Sequence, residues 1–71
     1  MKTAFSKRIK ELRENDGLSL RDLAEDISIN HSTIANWERG FREPPFDTLI
    51  KIADYFDVTT DYLLGRTDTY A

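Results

Sequence analysis

Residues 19–40 read S-L-R-D-L-A-E-D-I-S-I-N-H-S-T-I-A-N-W-E-R-G, and the spacing of their apolar residues decides the fold. Leu20, Leu23, Ala24 and Ile27 fall at i, i+3, i+4 and i+7, which is one face of a helix. Ser19 is a good N-cap for that helix, and Asp22 three residues on makes a short version of the capping box. Asn30 suits the cap of a second helix over about 31–39, which Gly40 ends. About three residues join the two helices, so they must cross steeply. Ile29 plugs the corner, and Ala24 supplies the small residue where the helices touch. The outward positions of the second helix are unusual. They carry His31, Ser32, Ala35 and Asn36 where surface helices more often carry Glu, Lys or Gln.

Outward from this unit the chain reads as helix nearly throughout, with no strand-like alternation. Phe5, Ile9 and Leu12 place a first helix at about 4–14, stopped by Asn15-Asp16-Gly17, where Gly17 can turn left-handed. Glu43-Pro44-Pro45 forbids helix and marks a loop. A fourth helix has Asp47 early, runs to about Phe56, and turns Leu49, Ile52, Ala53 and Phe56 inward. Thr59 or Thr60 caps a short fifth helix through Tyr62, Leu63 and Leu64, closed by Gly65. The expected fold is all-α, a compact five-helix domain over 1–66 with its two-helix unit at about 20–39. Residues 67–71 carry no pattern and read as a flexible tail.

The chain has 71 residues, 39% apolar and 32% charged, which bounds it to one soluble domain with a small core. It has no cysteine and one histidine, so disulfides and thiolate metal sites are excluded, and neither a metal nor a cofactor is expected. No run of about 18 apolar residues occurs, and the start M-K-T-A-F-S-K-R lacks a signal peptide's apolar stretch. A cytoplasmic protein with no membrane partner is expected. The sequence holds no nucleophile–histidine arrangement, acid/base pair or phosphate loop, so it does not read as an enzyme. The net charge of −3 weighs against nucleic acid only if the cations are spread evenly.

The run from Leu18 to Gly65, with W-E-R-G after the second helix, a proline loop, an L-x-x-I-A helix and a terminal D-Y-L-L-G, resembles the lambda-repressor/Cro-like helix-turn-helix family, often called XRE. The likeness covers about residues 5–66. It implies a transcriptional regulator of bacterial or phage type, a repressor whose second motif helix enters the DNA major groove. His31, Ser32, Ala35 and Asn36 would then meet base edges. Asn36 can pair with adenine, Ser32 can donate or accept, His31 can donate to guanine, and the Ala35 methyl can touch thymine. Ser19, the amide of Leu20, Arg21, Arg39 and Arg42 would meet phosphates. Arg13 and Glu38 would form a structural ion pair behind the reading helix. Asp54, Asp57, Asp61 and Asp68 lie in the C-terminal part, which leaves a locally positive binding face. Two departures stand out: Ser28 occupies the corner where the family usually has glycine, and Leu20 stands where a phosphate-bonding glutamine is common.

Simpler readings stand beside these. His31 and Asn36 would be ordinary surface residues outside such a motif, and Arg39 and Arg42 solvated cations. Trp37 reads as core. Tyr55, Tyr62 and Tyr70 either rim the core or mark a dimer surface near helix five. The expected partner is double-stranded DNA carrying a palindromic operator, bound as a homodimer. An antitoxin or protein-interaction module of the same fold is the alternative, with a toxin or an antirepressor as a possible protein partner.

Overall fold

A computed structural model describes residues 2–70 as five helices: α1 (Ala4–Asn15), α2 (Leu20–Ile27), α3 (His31–Arg39), α4 (Phe46–Phe56) and α5 (Thr60–Leu63). No strand occurs among the described residues, and the fold is all-α. The outer limits of the expected domain and tail, residues 1 and 71, lie outside the described residues.

Four of the five helices start where a side chain satisfies an orphan amide, and α4 instead starts after Pro45 with no capping side chain. Ser19 and Asp22 form a reciprocal capping box on α2, at 3.0 and 2.9 Å. Asn30 accepts the Ser32 amide at 2.8 Å and starts α3. Thr59, not Thr60, caps α5 by accepting the Tyr62 amide. Thr3 and Ser6 make a second capping box on α1. Gly17 is left-handed, with φ 70°.

Phe5, Ile9, Leu12, Leu23, Ile27, Ile34, Trp37, Leu49, Ile52, Ala53, Tyr62 and Leu63 form one buried cluster. Its contributions from α1 and α4 hold the two-helix unit from behind, α1 against α3 and α4 against α2. Trp37 meets Phe5 edge-on, with ring centroids 6.2 Å apart, so it is core. Ala24, Ile29 and Phe56 pack against the cluster while only half-buried.

Ser28 takes the left-handed conformation, φ 58° and ψ 42°. That backbone lets the Ile29 amide reach the Ala24 carbonyl at 3.0 Å and turns the chain into α3. A non-glycine residue there costs about 1 kcal/mol. α4 braces the same corner. Lys51 Nζ donates to the Ile27 carbonyl at 2.6 Å, and the Tyr55 hydroxyl donates to Asp26 Oδ2 at 2.5 Å. Lys51 thus places a cation on the carbonyl end of α2, where the helix dipole favours it.

The segment after α5 has partners that its pattern did not announce. Arg8 donates to the carbonyls of Tyr62 and Thr67, pairs with Asp68 at 2.8 Å, and stacks 4.2 Å over the Tyr62 ring. Tyr70 meets Tyr62 edge-on, and its carbonyl accepts the Thr59 amide at 2.9 Å. Tyr62 itself is buried, and burial is the first cause that pushes its phenol pKa up. Gly65 is required by close approach, because a Cβ there would collide with Ala4.

Candidate nucleic-acid interface

α3 divides into two faces. Ile34, Trp37 and Glu38 are buried. At 100° per residue, Ser32, Ala35, Asn36 and Arg39 fall on the opposite side. Ser32 and Arg39 are exposed, and Ala35 and Asn36 are half-buried. None of the four has a long apolar side chain, so the backbone of α3 can approach a flat or concave partner closely.

His31 sits apart from that stripe. It is half-buried in a shallow notch with Arg21, Ala24, Glu25, Ile29 and Asn30. The structure therefore brings His31 and Arg21 together beside α2 rather than on the central line of α3. Arg42 lies on the other flank. It shares a depression of about 460 Å³ with Thr33, Asn36, Glu43 and Thr48. Thr33 and Thr48 are polar groups in this depression that the sequence reading left out. The signal for Thr33 was present: it precedes Asn36 by three residues, one helical turn. Thr48 had no such signal, because only the packing of α4 brings it there.

The start of α2 offers fewer donors than its position suggests. The Ser19 amide is taken by Asp22, and the Ser19 hydroxyl accepts the Asp22 amide. The hydroxyl proton of Ser19 and the amide of Leu20 remain as donors for an anion. The hydrogen bonds from Ser19 hold the Asp22 carboxyl below its ordinary pKa. An ionised acid thus stands near this end, and Glu25 and Glu43 border the two flanks. Other acids are drawn off elsewhere: Asp68 to Arg8, and Asp26 to Tyr55.

Behind α3 lies a charge pair that fixes its position. Arg13 Nε and Nη2 donate to Glu38 Oε2 and Oε1 at 2.7 and 3.0 Å, and Arg13 Nη1 donates to the Leu18 carbonyl at 2.8 Å. The two side chains are 11% and 8% exposed. The fork satisfies both carboxylate oxygens, and it raises the Arg13 pKa, with the hydrogen bond to Glu38 the first cause. α1, the α1–α2 turn and α3 are joined at this point.

Comparison with known proteins places this geometry. A helix-turn-helix family model matches residues 9–63. The HTH-type transcriptional regulator ImmR of Bacillus subtilis (strain 168) is 38% identical over 65 residues, which is 92% of this chain and 51% of that protein. The chain spans about half the length of such curated relatives. Among solved structures, the restriction-modification controller protein C.AhdI from Aeromonas hydrophila is 31% identical with a TM-score of 0.77, covering 86% of this chain and 92% of that one. SinR, a master regulator for biofilm formation solved in complex with DNA, is 33% identical with a TM-score of 0.77, covering 84% and 97%.

Proposed function

We propose, for a chain that belongs to the helix-turn-helix family, that it is a sequence-specific DNA-binding transcriptional regulator, a repressor, acting in the cytoplasm as a binding protein rather than an enzyme. One observation carries the reading: α3 sets Ser32, Ala35, Asn36 and Arg39 on the side away from the core, two exposed and two half-buried, while Ile34, Trp37 and the Arg13–Glu38 pair anchor it from behind. Surface helices have no need of short, polar outward side chains, but a helix lying in the major groove does.

In this reading Ser32, Ala35 and Asn36 meet base edges, with Asn36 paired to adenine and the Ala35 methyl against thymine. His31 reaches a base at the entry of α3. Arg39 and Arg42 meet phosphates on one flank, with Thr33 and Thr48 beside Arg42. Arg21, the Ser19 hydroxyl and the Leu20 amide meet phosphates on the other. A single unit covers few base pairs, so two copies bind a two-fold operator with half-sites about 34–36 Å apart. Asp22, Glu25 and Glu43 near the interface keep non-specific binding weak, because they offset the charge that drives it.

Selection of binding sites from random duplexes, followed by gel shifts, tests the reading. Asn36→Ala should change which base is preferred at one position. Arg42→Ala should weaken all sequences alike and lower the salt slope by about one. The proposal fails if no selected sequence binds more than about tenfold better than random DNA at physiological salt, where specific binders reach about 10³-fold or more.

A further inference from the structure

Lys51 and Tyr55 stand one turn apart on α4, and both reach the end of α2. Lys51 Nζ donates to the carbonyl of Ile27, the last residue of α2, and the Tyr55 hydroxyl donates to Asp26 just before it. Both residues are exposed, and neither belongs to the buried cluster. What they grip is the peptide on the near side of Ser28. The Ile27 carbonyl lies in the plane that turns about the Ser28 N–Cα bond, so a cation on that carbonyl resists a change in the φ of Ser28. On the far side, the Ile29 amide is tied to the Ala24 carbonyl at 3.0 Å. Between these two ties Ser28 has φ 58°, where a side chain is disfavoured. Only Ile29 and Asn30 separate Ser28 from the first residue of α3. Any rotation at Ser28 therefore swings α3.

We propose that Lys51 and Tyr55 are positioning residues for DNA reading: from α4 they hold the Ser28 corner left-handed and so fix the angle at which α3 presents Asn36. The inference rests on the functional reading above and adds to it what sets base discrimination from outside the interface. At ~1.5 Å per residue, Asn36 stands about 7.5 Å along α3 from its start. A swing of about 10° then moves it by about 1.3 Å, beyond the ~0.5 Å within which a working contact must be held. Phosphate contacts tolerate such a swing, because attraction between charges falls slowly with distance. The brace thus acts on discrimination and leaves non-specific binding in place. Glycine at the corner would need no brace, since it takes the left-handed conformation without steric cost. Unbraced, serine leaves that conformation about fivefold more readily than glycine, the equivalent of ~1 kcal/mol. Apparent affinity for the selected site falls in proportion to the fraction of chains whose corner stays in place.

Two measurements on Lys51→Met/Tyr55→Phe, one of them without DNA, test the brace. Both side chains are exposed, so circular dichroism should report a folded variant. Amide hydrogen exchange at Ile29 reads opening of the corner, and exchange at Leu12, buried in α1, reads opening of the fold as a whole. The variant should speed Ile29 relative to Leu12 by about fivefold, and adding Ser28→Gly should remove the increase. On the best selected duplex the variant should lose about fivefold in affinity, and Ser28→Gly should restore it. Affinity for random DNA should stay within about twofold, with the salt slope unchanged. Ile29 exchange that merely follows Leu12, or an affinity loss that Ser28→Gly does not repair, overturns the proposal. So does a salt slope lowered by about one, which would make Lys51 a phosphate contact. A wild-type chain that selects no sequence sinks the functional reading and this role with it, whereas a failed brace on a chain that does select DNA sinks the proposal alone.

Discussion

Removing the Glu38 carboxylate should be the most damaging single change in the polar part of this fold. Arg13 is held by the two Glu38 oxygens and the Leu18 carbonyl, and it is nearly as buried as its partner. In Glu38→Met the guanidinium keeps only the carbonyl and remains out of water, which costs about 3–5 kcal/mol. A 71-residue domain has a total stability of about 4–11 kcal/mol at ~0.05–0.15 kcal/mol per residue. The single variant thus loses about a quarter of that or more. Its unfolding entropy is about 150 cal/mol/K at ~2.1 cal/mol/K per residue, so each kcal/mol moves Tm by about 7 °C. A fall of about 20 °C or complete unfolding is expected. Arg13→Met strands the carboxylate and should cost as much. The double variant Arg13→Met/Glu38→Met replaces the pair with apolar groups of similar length and should recover most of the loss. Urea and thermal unfolding of the four proteins closes the cycle, with a coupling of about 3 kcal/mol expected. Losses that simply add, or single variants within about 0.5 kcal/mol of wild type, a change typical of surface substitutions, would refute the claim that the pair fixes α3 to α1.

Ser28→Gly should raise stability by about 0.5–1 kcal/mol, because the left-handed corner costs serine that much more than glycine; an unchanged or lower urea midpoint would count against strain at the corner. Asp22 has a lowered folded pKa, so its contribution is present above the ordinary carboxylate value and is lost as pH falls through the lowered one. The melting gap between wild type and Asp22→Ala should therefore close in acid, and a constant gap would remove the charge from the account of the cap. Tyr55 is pushed up to about 12, first by its hydrogen bond to Asp26. A raised pKa stabilises below the ordinary tyrosine value and is lost as pH rises through about 12. Spectrophotometric titration should show late phenol ionisation whose amplitude Tyr55→Phe reduces by one tyrosine, leaving the raised Tyr62; a Tyr55 that ionises at the ordinary value would mean the α2–α4 clamp is open in solution.

Local chemistry was enough to place α2, α3 and the all-α class. Ser19 with Asp22, and Asn30, are caps that act within three residues, and the apolar period needs no knowledge of the rest of the chain. The left-handed turn at Ser28 was signalled only by the family resemblance, which usually has glycine at this corner; serine itself left the shape of the corner open until the structure gave its φ of 58°. Other features were not legible, because they depend on residues far apart in sequence. Nothing near Arg8 announces that it fastens the segment after α5, 59 or more residues away. Tyr62 could equally have rimmed the core, and only the packing of α5 on α1 buries it. The apolar face of α4 is the clearest case. Leu49 reads as inward from its spacing with Ile52 and Ala53, and it is buried, but the same helical stripe takes in Phe46 and Ile50, and the sequence does not say that the core leaves those two exposed. His31 and Asn36 likewise share a helix of short side chains. Their separation, one in a notch beside α2 and the other in a depression with Arg42 and Thr48, follows from the elements that flank α3. Periodicity fixes which residues share a face, but which face is covered, and by what, is settled only when the helices pack.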